Sequence, residues 1–123
     1  MGKEEQMREL VKRWAEHCNS TQSTDGMEKY LTADYKWHVN GRNVNGLENV
    51  KKVFKNLLLE QELIQIVDDV VAMGNRVVVR WSYANKRRST GETWVSSGIT
   101  IDVVRDGKFA EGWELSFDKP WPS

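Results

Sequence analysis

Apolar residues recur at two different periods along this chain. Up to about residue 59 they follow helical spacing, three or four residues apart. Beyond residue 60 they alternate with polar residues or form Ile- and Val-rich runs, which are typical of strands. The helical part contains two apolar stripes: Met7, Leu10, Val11, Trp14 and Cys18, and then Leu47, Val50, Val53, Phe54, Leu57 and Leu58. The change of period predicts helices first and strands afterwards.

The two stripes predict an amphipathic helix over residues 4–18 and a later helix beginning near residue 45. Between them, Asp25 and Glu28 have the spacing of a capping box and predict a short helix over 25–31. An early strand is expected at 35–39. A meander of four longer strands follows, at 62–73, 76–85, 92–104 and 108–117. This order predicts an α+β fold, in which a curved antiparallel sheet wraps on three N-terminal helices as a cone with a pocket at its mouth.

The last two strands flank Asp106-Gly107, a strong signal for a two-residue hairpin turn. Counting outward from that turn places Asp102 opposite Glu111, on one face with Trp113. Two carboxyl groups at that separation resist double ionisation, so one of them is expected to hold a proton. A slip of one residue would move all of these side chains to the other face.

The composition limits the class of protein. The 123 residues suit one domain, with a core over about 7–118, and 18 basic residues balance 18 acidic ones. This balance gives no general attraction to nucleic acid or to an anionic membrane. Cys18 is the only cysteine, and no stretch resembles a leader or a membrane span, so we expect a cytoplasmic protein. His17, His38 and Cys18 lack metal-site spacing, and neither a metal nor another cofactor is predicted.

Four segments resemble the SnoaL-like branch of the nuclear-transport-factor-like and ketosteroid-isomerase-like cone superfamily, whose fold is also called cystatin-like. They are residues 35–38, 46–50, 69–81 and 106–113. The resemblance extends over about residues 7–118 and implies the cone fold with an apolar pocket. It leaves the reaction open, because this fold serves isomerases, cyclases, hydrolases and binding modules.

The resemblance also implies roles for individual residues. Ketosteroid isomerases carry their general base at the position of His38 and an oxyanion-stabilising acid in a strand similar to that of Asp102. Trp14 stands where they present a tyrosine, which disfavours steroid isomerisation because an indole cannot act as a phenolic acid. Limonene epoxide hydrolases carry an arginine where Arg80 stands, but Ser82 replaces one of their acids, so epoxide hydrolysis is disfavoured.

Two functions are therefore predicted. The first is an enzyme of the isomerase or cyclase type that moves a proton next to a carbonyl of an apolar substrate, with His38, Asp102 and Glu111 as catalytic residues. The residues expected to bind the substrate are Trp14, Phe54, Leu58, Arg80 and Trp113. The second is a module of the same fold that binds an apolar ligand or dimerises without chemistry.

The pattern leaves two interpretations of which sheet face is inside. Binary patterning alone buries the side with Ile99, Ile101 and Trp81. The resemblance instead directs Asp102 and Arg80 inward, and we adopt this version. It predicts a homodimer that covers the side with Ile99, Ile101 and Trp81, since an exposed apolar patch of that size is a liability. Arg80 then either contacts Asp102 or pairs across the strands with Asp69.

Overall fold

A computed structural model of the chain describes residues 2–123. Within this range the chain forms two α-helices, α1 (Lys3–Thr21) and α2 (Leu47–Glu60). The six strands are β1 (Leu31–Val39), β2 (Arg42–Asn45), β3 (Gln61–Met73), β4 (Arg76–Arg87), β5 (Thr93–Arg105) and β6 (Lys108–Phe117). They form one sheet in the order β2-β1-β6-β5-β4-β3. All neighbours are antiparallel except β1 and β6, which are parallel.

The predicted α+β class is confirmed, and the apolar stripe of α1 packs against the sheet as expected. Met7, Leu10, Val11 and Trp14 are buried there. The predicted helix over 25–31 is too long, because only Met27–Lys29 forms a single 3₁₀ turn. Gly26 before this turn has a left-handed φ of 80°, and Leu31 after it already begins β1. Residues 2–123 therefore form two α-helices rather than three.

Strand β2 was not predicted, since Asn40-Gly41 and Asn45-Gly46 read as turns. Asn40 and Gly41 do form a tight turn, with φ values of 48° and 79°. The four residues between the two turns then pair with β1 as a short edge strand. Its polar sequence gives no apolar alternation, and this is why the pattern missed it.

Each of the two interpretations of the sheet faces is correct in part. Val79 pairs with Thr100, so Trp81 on β4 shares the inner face with Asp102 on β5. Ile99 and Ile101 lie on the outer face, 39% and 40% exposed. The prediction that Asp102 points inward is therefore confirmed, whereas the pairing of Trp81 with the outer side is wrong.

The closing hairpin has the expected turn and an unexpected register. Arg105 pairs with Lys108 across Asp106-Gly107, as a two-residue turn requires. The register then shifts by one, so that Val103 faces Glu111 and Asp102 faces Gly112. The extra residue on β6 is Ala110, which makes a β-bulge. The predicted pairing of Asp102 with Glu111 is wrong for this reason, and Glu111 turns to the outer face.

Candidate functional site

A cavity of about 370 Å³ lies between the inner face of the sheet and the two helices. Most of its wall is apolar or aromatic, and polar side chains from β3, β4, β5 and β6 also line it. The aromatic residues that line it include Trp14, Tyr35, Trp37, Phe54, Trp81, Tyr83, Trp94, Phe109 and Phe117. The carboxyl groups that line it are those of Asp102, Glu114 and Asp118. An enclosed apolar space with a few convergent polar groups is the usual form of a small-molecule site.

Asp102 is the polar centre of this cavity. The Tyr35 hydroxyl donates a hydrogen bond of 2.9 Å to its Oδ1 atom. Gly112 makes this contact possible, because a Cβ atom at that position would collide with both the Tyr35 hydroxyl and the Asp102 carboxyl group. Tyr35 is itself held through its carbonyl, which accepts a hydrogen bond of 2.7 Å from the Gly46 amide before α2.

The environment of Asp102 favours its neutral form. Burial in the cavity, reinforced by the charge of Glu114, raises the pKa of Asp102 from 3.8 to about 7. Hydrogen bonds from Tyr35 and Thr100 oppose this rise, since they stabilise the carboxylate. The result is a carboxyl group that is divided between its acid and its base near neutral pH.

Glu114 is the second carboxyl group of the cavity. The Trp37 indole donates a hydrogen bond of 3.3 Å to its Oε1 atom. Burial raises the pKa of Glu114 from 4.5 to about 7, and the Trp37 contact only partly opposes it. Glu114 faces Thr100 across the strands, which makes it a diagonal neighbour of Asp102 on the same face.

Aromatic pairs flank the two carboxyl groups. Trp37 on β1 stacks on Phe54 of α2, with ring centroids 5.3 Å apart. Trp81 and Tyr83 on β4 stack at 6.2 Å, and the Trp81 indole donates a 3.0 Å hydrogen bond to the Thr100 hydroxyl. These rings exclude water from both sides of the acids, and this desolvation is the cause of their raised pKa values.

His38 and Glu111, both predicted as catalytic, lie together on the outer face instead. The His38 Nε2 atom is 2.8 Å from Glu111 Oε2, and its Nδ1 atom is 2.6 Å from Asn43 Oδ1. The imidazole stacks on Trp113 at 5.2 Å, and the Arg76 guanidinium lies over the same indole. The hydrogen bond to Asn43, and then that to Glu111, raise the pKa of His38.

The residues predicted to bind the substrate divide between the two faces. Trp14 and Phe54 line the cavity and touch edge to face at 6.4 Å. Trp113 borders the cavity, but its ring stacks outside on His38 and is 39% exposed.

Arg80 and Leu58 do not line the cavity. Arg80 lies on the outer face, where its guanidinium is 2.6 Å from the Asp69 carboxylate. Val79 and Trp81, the residues on either side of Arg80 along β4, share the inner face with Asp102, so the Arg80 side chain points the other way. On α2 the lining residue is Leu57 rather than Leu58.

The family is shown by the sequence itself. Residues 11–112 match the model of the SnoaL-like domain, which is most of the chain. The chain belongs to the SnoaL-like family. No curated protein sequence is significantly similar to it.

Solved structures confirm the SnoaL-like fold. TsrD from Streptomyces laurentii superposes with a TM-score of 0.79 at 18% identity, over 94% of this chain and 91% of that one. A protein from Acidithiobacillus ferrooxidans, provisionally described as a polyketide cyclase, gives 0.80 at 18% identity and the same coverages. A ketosteroid isomerase-like protein from Catenulispora acidiphila, solved with trimethylamine, gives 0.75 at 12% identity over 90% and 85%. Identities this low establish the fold and leave the reaction open.

Sequence reasoning missed three members of this SnoaL-like cavity: Tyr35, Trp37 and Glu114. The signal that could have found them is the period of two along the strands. Tyr35 and Trp37 are two apart on β1, and Gly112 and Glu114 are two apart on β6. On β6 this period identifies Glu114 only from Gly112, because Phe109 also lines the cavity but lies on the other side of the bulge at Ala110.

Within residues 2–123, no group of three or more His, Cys, Asp or Glu side chains is placed to hold a metal ion. In the same range, no helix has the length and apolar character needed to cross a membrane. The groups that line the cavity and can exchange protons are three carboxyl groups, those of Asp102, Glu114 and Asp118, and the phenols of Tyr35 and Tyr83.

Proposed function

We propose that this SnoaL-like protein is an enzyme that moves a proton next to a carbonyl group of a largely apolar substrate. The observation that carries the proposal is the Tyr35–Asp102 hydrogen bond of 2.9 Å, inside an aromatic cavity and beside Glu114. A group that takes and returns a proton works best when its pKa is close to the working pH. Asp102, with a pKa of about 7, meets this condition.

The two carboxyl groups supply a base and an acid. Burial raises the pKa of both groups to about 7, and the charge of Glu114 further opposes ionisation of Asp102, so the pair holds protons near neutral pH; in the reactive form Asp102 is ionised and Glu114 is protonated. The Asp102 carboxylate takes the proton from the carbon next to the carbonyl, the electron pair of that C–H bond forms a C=C bond, and the π pair of the carbonyl moves to its oxygen. The proton on Glu114 is hydrogen-bonded to that developing oxyanion. Return of the proton to another carbon gives an isomer. Attack by the enolate carbon on a second carbonyl closes a ring, and the alkoxide that this attack forms takes the proton back from Asp102.

This assignment replaces the roles that the sequence suggested. His38 and Glu111 are too far around the sheet to reach a substrate in the cavity, since both are on the outer face. Asp102 takes the role of base from His38, and Glu114 takes the role of proton donor. Trp14 and Phe54 keep their predicted role as apolar wall.

The test is hydrogen exchange at the activated carbon of a simple ketone. The α-protons of 2-tetralone in D₂O can be followed by proton NMR, with wild-type protein, Asp102→Asn and Glu114→Gln. We expect both variants to lose most of the enzyme-dependent exchange. Asp69→Asn, an equal change of charge on the outer face, should leave it unchanged. Exchange that is equally fast with wild type and Asp102→Asn would contradict the proposal.

The outer face supports a second function, self-association, either beside catalysis or in place of it. Apolar side chains remain exposed there: Val71 at 59%, Met73 at 73%, Ile99 at 39%, Ile101 at 40% and Leu115 at 65%. Patches of this kind on a sheet face are typical of protein contacts. We therefore propose a homodimer through this face of a protein that works in the cytoplasm.

Light scattering after gel filtration tests the dimer. Ile101→Lys and Leu115→Lys should shift the mass from twice 14.3 kDa to a single chain. A wild-type protein that runs as a monomer at micromolar concentration would contradict the dimer and would leave the proposed chemistry untouched.

A further inference from the structure

The charges that line the cavity are all of one sign. Three carboxyl groups line it, those of Asp102, Glu114 and Asp118. Of the residues from 2 to 123, no lysine, arginine or histidine contributes to the lining. Basic residues are as frequent as acidic ones in the whole chain, so this separation belongs to the cavity. A ligand with a negative charge would meet only repulsion there.

Electron-rich aromatic rings line the cavity together with the two central carboxyl groups. Trp37, stacked on Phe54, stands on one side, and Tyr83, stacked on Trp81, on the other. The Tyr83 hydroxyl occupies space that exists because residue 98 is glycine; a Cβ there would lie 2.9 Å from that oxygen. Burial and then the charges of Glu114 and Asp102 raise the pKa of Tyr83, so its phenol stays neutral. Such rings attract cations through the negative potential of their faces.

The carboxyl groups also have unused capacity to accept hydrogen bonds. Glu114 accepts a 3.3 Å bond from Trp37, and the Asp102 carboxyl group accepts bonds from Tyr35 and Thr100. An ionised carboxylate offers about four acceptor positions, whereas an ammonium group carries up to three donors and no acceptor. A ligand that carries both hydrogen-bond donors and a positive charge would fill the free acceptor positions of these carboxylates and balance their charge.

We propose that the substrate carries a protonated amine on an apolar body and that its ammonium group lies between Asp102 and Glu114. This inference rests on the proposed function, because it names the substrate class of the same cavity. The positive charge favours the ionised form of both acids, so binding expels the proton that the pair holds. The substrate then converts Asp102 into the base that the reaction needs, and an N–H of its ammonium group takes the place of the Glu114 proton as the hydrogen-bond donor to the oxyanion. The indoles and phenyl rings of the cavity pack against the apolar body.

Three probes with the same ring system separate charge from size: tryptamine, its neutral alcohol tryptophol, and the anion indole-3-acetate. Isothermal titration at pH 7 should show tryptamine binding about tenfold or more tightly than tryptophol. Indole-3-acetate should bind most weakly. Titration of tryptamine in two buffers of different ionisation enthalpy should reveal release of protons, and the release should shrink above pH 8, where both acids are already ionised.

Variants locate the effect. Glu114→Gln and Asp102→Asn should each lose most of the preference for tryptamine while still binding tryptophol. Asp69→Asn removes the same charge from the outer face and should keep the preference. Equal affinity of the three probes, tryptamine too weak to detect at millimolar concentration, or tryptamine binding without proton release would each overturn the inference.

The two proposals fail separately. If tryptamine shows no preference but Asp102→Asn still abolishes exchange of 2-tetralone, the substrate is not an amine and the chemistry remains. If tryptamine binds with proton release but exchange does not depend on Asp102, the cavity is a receptor for amines and the proposed reaction is wrong.

Discussion

Two acid-containing clusters lie back to back on the same pair of strands. On the inner face, Glu114 of β6 accepts a hydrogen bond from Trp37 of β1. On the outer face, Glu111 of β6 pairs with His38 of β1. Each cluster combines a carboxyl group with aromatic rings, and the two alternate along the strands. They differ in solvent, because aromatic walls enclose the inner acid and water reaches the outer pair.

That difference decides what each cluster can do. Desolvation raises the pKa of Glu114 and Asp102 to about 7, so the inner cluster can exchange protons near neutrality. The outer cluster instead stabilises a cation, since its hydrogen bonds raise the pKa of His38. An ion pair that water reaches contributes less than about 1 kcal/mol to stability. The two clusters contain similar residue types. Burial is what allows the inner cluster to exchange protons near neutral pH, whereas the exposed outer cluster forms only a surface ion pair.

Deletion of Ala110 should have the largest effect, because this residue makes the bulge that assigns side chains to the two faces. Without it, either β6 loses its pairing with β5 or residues 111–117 exchange faces. The exchange would bury Glu111 and Trp113 in place of Gly112 and Glu114. We expect the melting temperature, followed by circular dichroism, to fall by more than about 15 °C.

Ala110→Gly keeps the bulge and serves as the control for this deletion. It should cost about 1 kcal/mol, since glycine weakens a strand mainly through chain entropy. A deletion variant that melts within a few degrees of the control would mean that the bulge does not fix the register.

Gly112→Ala should have the next largest effect. The new Cβ atom would collide with the Tyr35 hydroxyl and the Asp102 carboxyl group, both fixed in the cavity wall. Overpacking of this kind costs about 3 kcal/mol. Chemical denaturation measures the loss, and the second change Tyr35→Phe should recover part of it by removing the hydroxyl.

Gly2→Ala is the matched control for Gly112→Ala, because no atom lies within 4 Å of a Cβ placed at that position. Its stability should equal that of the wild type. If Gly112→Ala were as harmless as this control, the close approach of Tyr35 to Asp102 would be wrong.

The sequence predicted the fold well because long apolar stripes and a strong turn signal leave few alternatives. The α1 stripe, the order of helices before strands and the Asp106-Gly107 turn all appear in the structure. Short polar elements such as β2 were not predicted, because they bury too few apolar side chains to show an alternating pattern in the sequence. Their pairing is fixed by neighbouring strands instead.

The site was predicted only in part, because it depends on which face of the sheet each strand residue points to. Asp102 and Trp14 were placed in the cavity through the family resemblance, and they line it. Glu111 and His38 were placed on the wrong face. The bulge at Ala110 has no signal in the sequence, since alanine is an ordinary strand residue and the bulge follows from packing against both β1 and β5. One unpredicted residue was enough to exchange Glu111 for Glu114.

Asp102→Asn should stabilise the protein at alkaline pH. Folding raises the pKa of Asp102 from 3.8 to about 7, so the folded state holds the proton more tightly than the unfolded state. The stability of the wild type should therefore fall as the pH rises from about 4 to about 7 and then level off. The neutral amide avoids burial of the charge. We expect the gain to be about 2–3 kcal/mol larger at pH 8 than at pH 5, because most of the interval between the two pKa values lies above pH 5.

Urea denaturation at the two pH values measures this difference. Asp69→Asn is the control, because its carboxylate lies on the outer face, 2.6 Å from Arg80. It should give no gain at pH 8. A wild-type protein whose stability does not change between pH 5 and pH 8 would contradict burial as the dominant influence on Asp102.

Glu111→Gln should have the smallest effect on stability and a clear effect on titration. The Asn43 and Glu111 contacts raise the pKa of His38, so removal of the Glu111 charge should lower it. The sequence contains two histidines, and His38→Gln assigns the second NMR titration curve to His17. The loss of stability should be about 0.5 kcal/mol or less at pH 5 and vanish by pH 8, because a raised histidine pKa contributes only while the imidazole is charged.

Glu114→Gln is the control, because it removes the same charge from the inner face of the sheet. It should leave the His38 titration curve in place. If both glutamate variants changed the pKa of His38 equally, the charges on the two faces of the sheet would not act independently. That result would contradict the desolvation of Asp102 and Glu114 on the inner face.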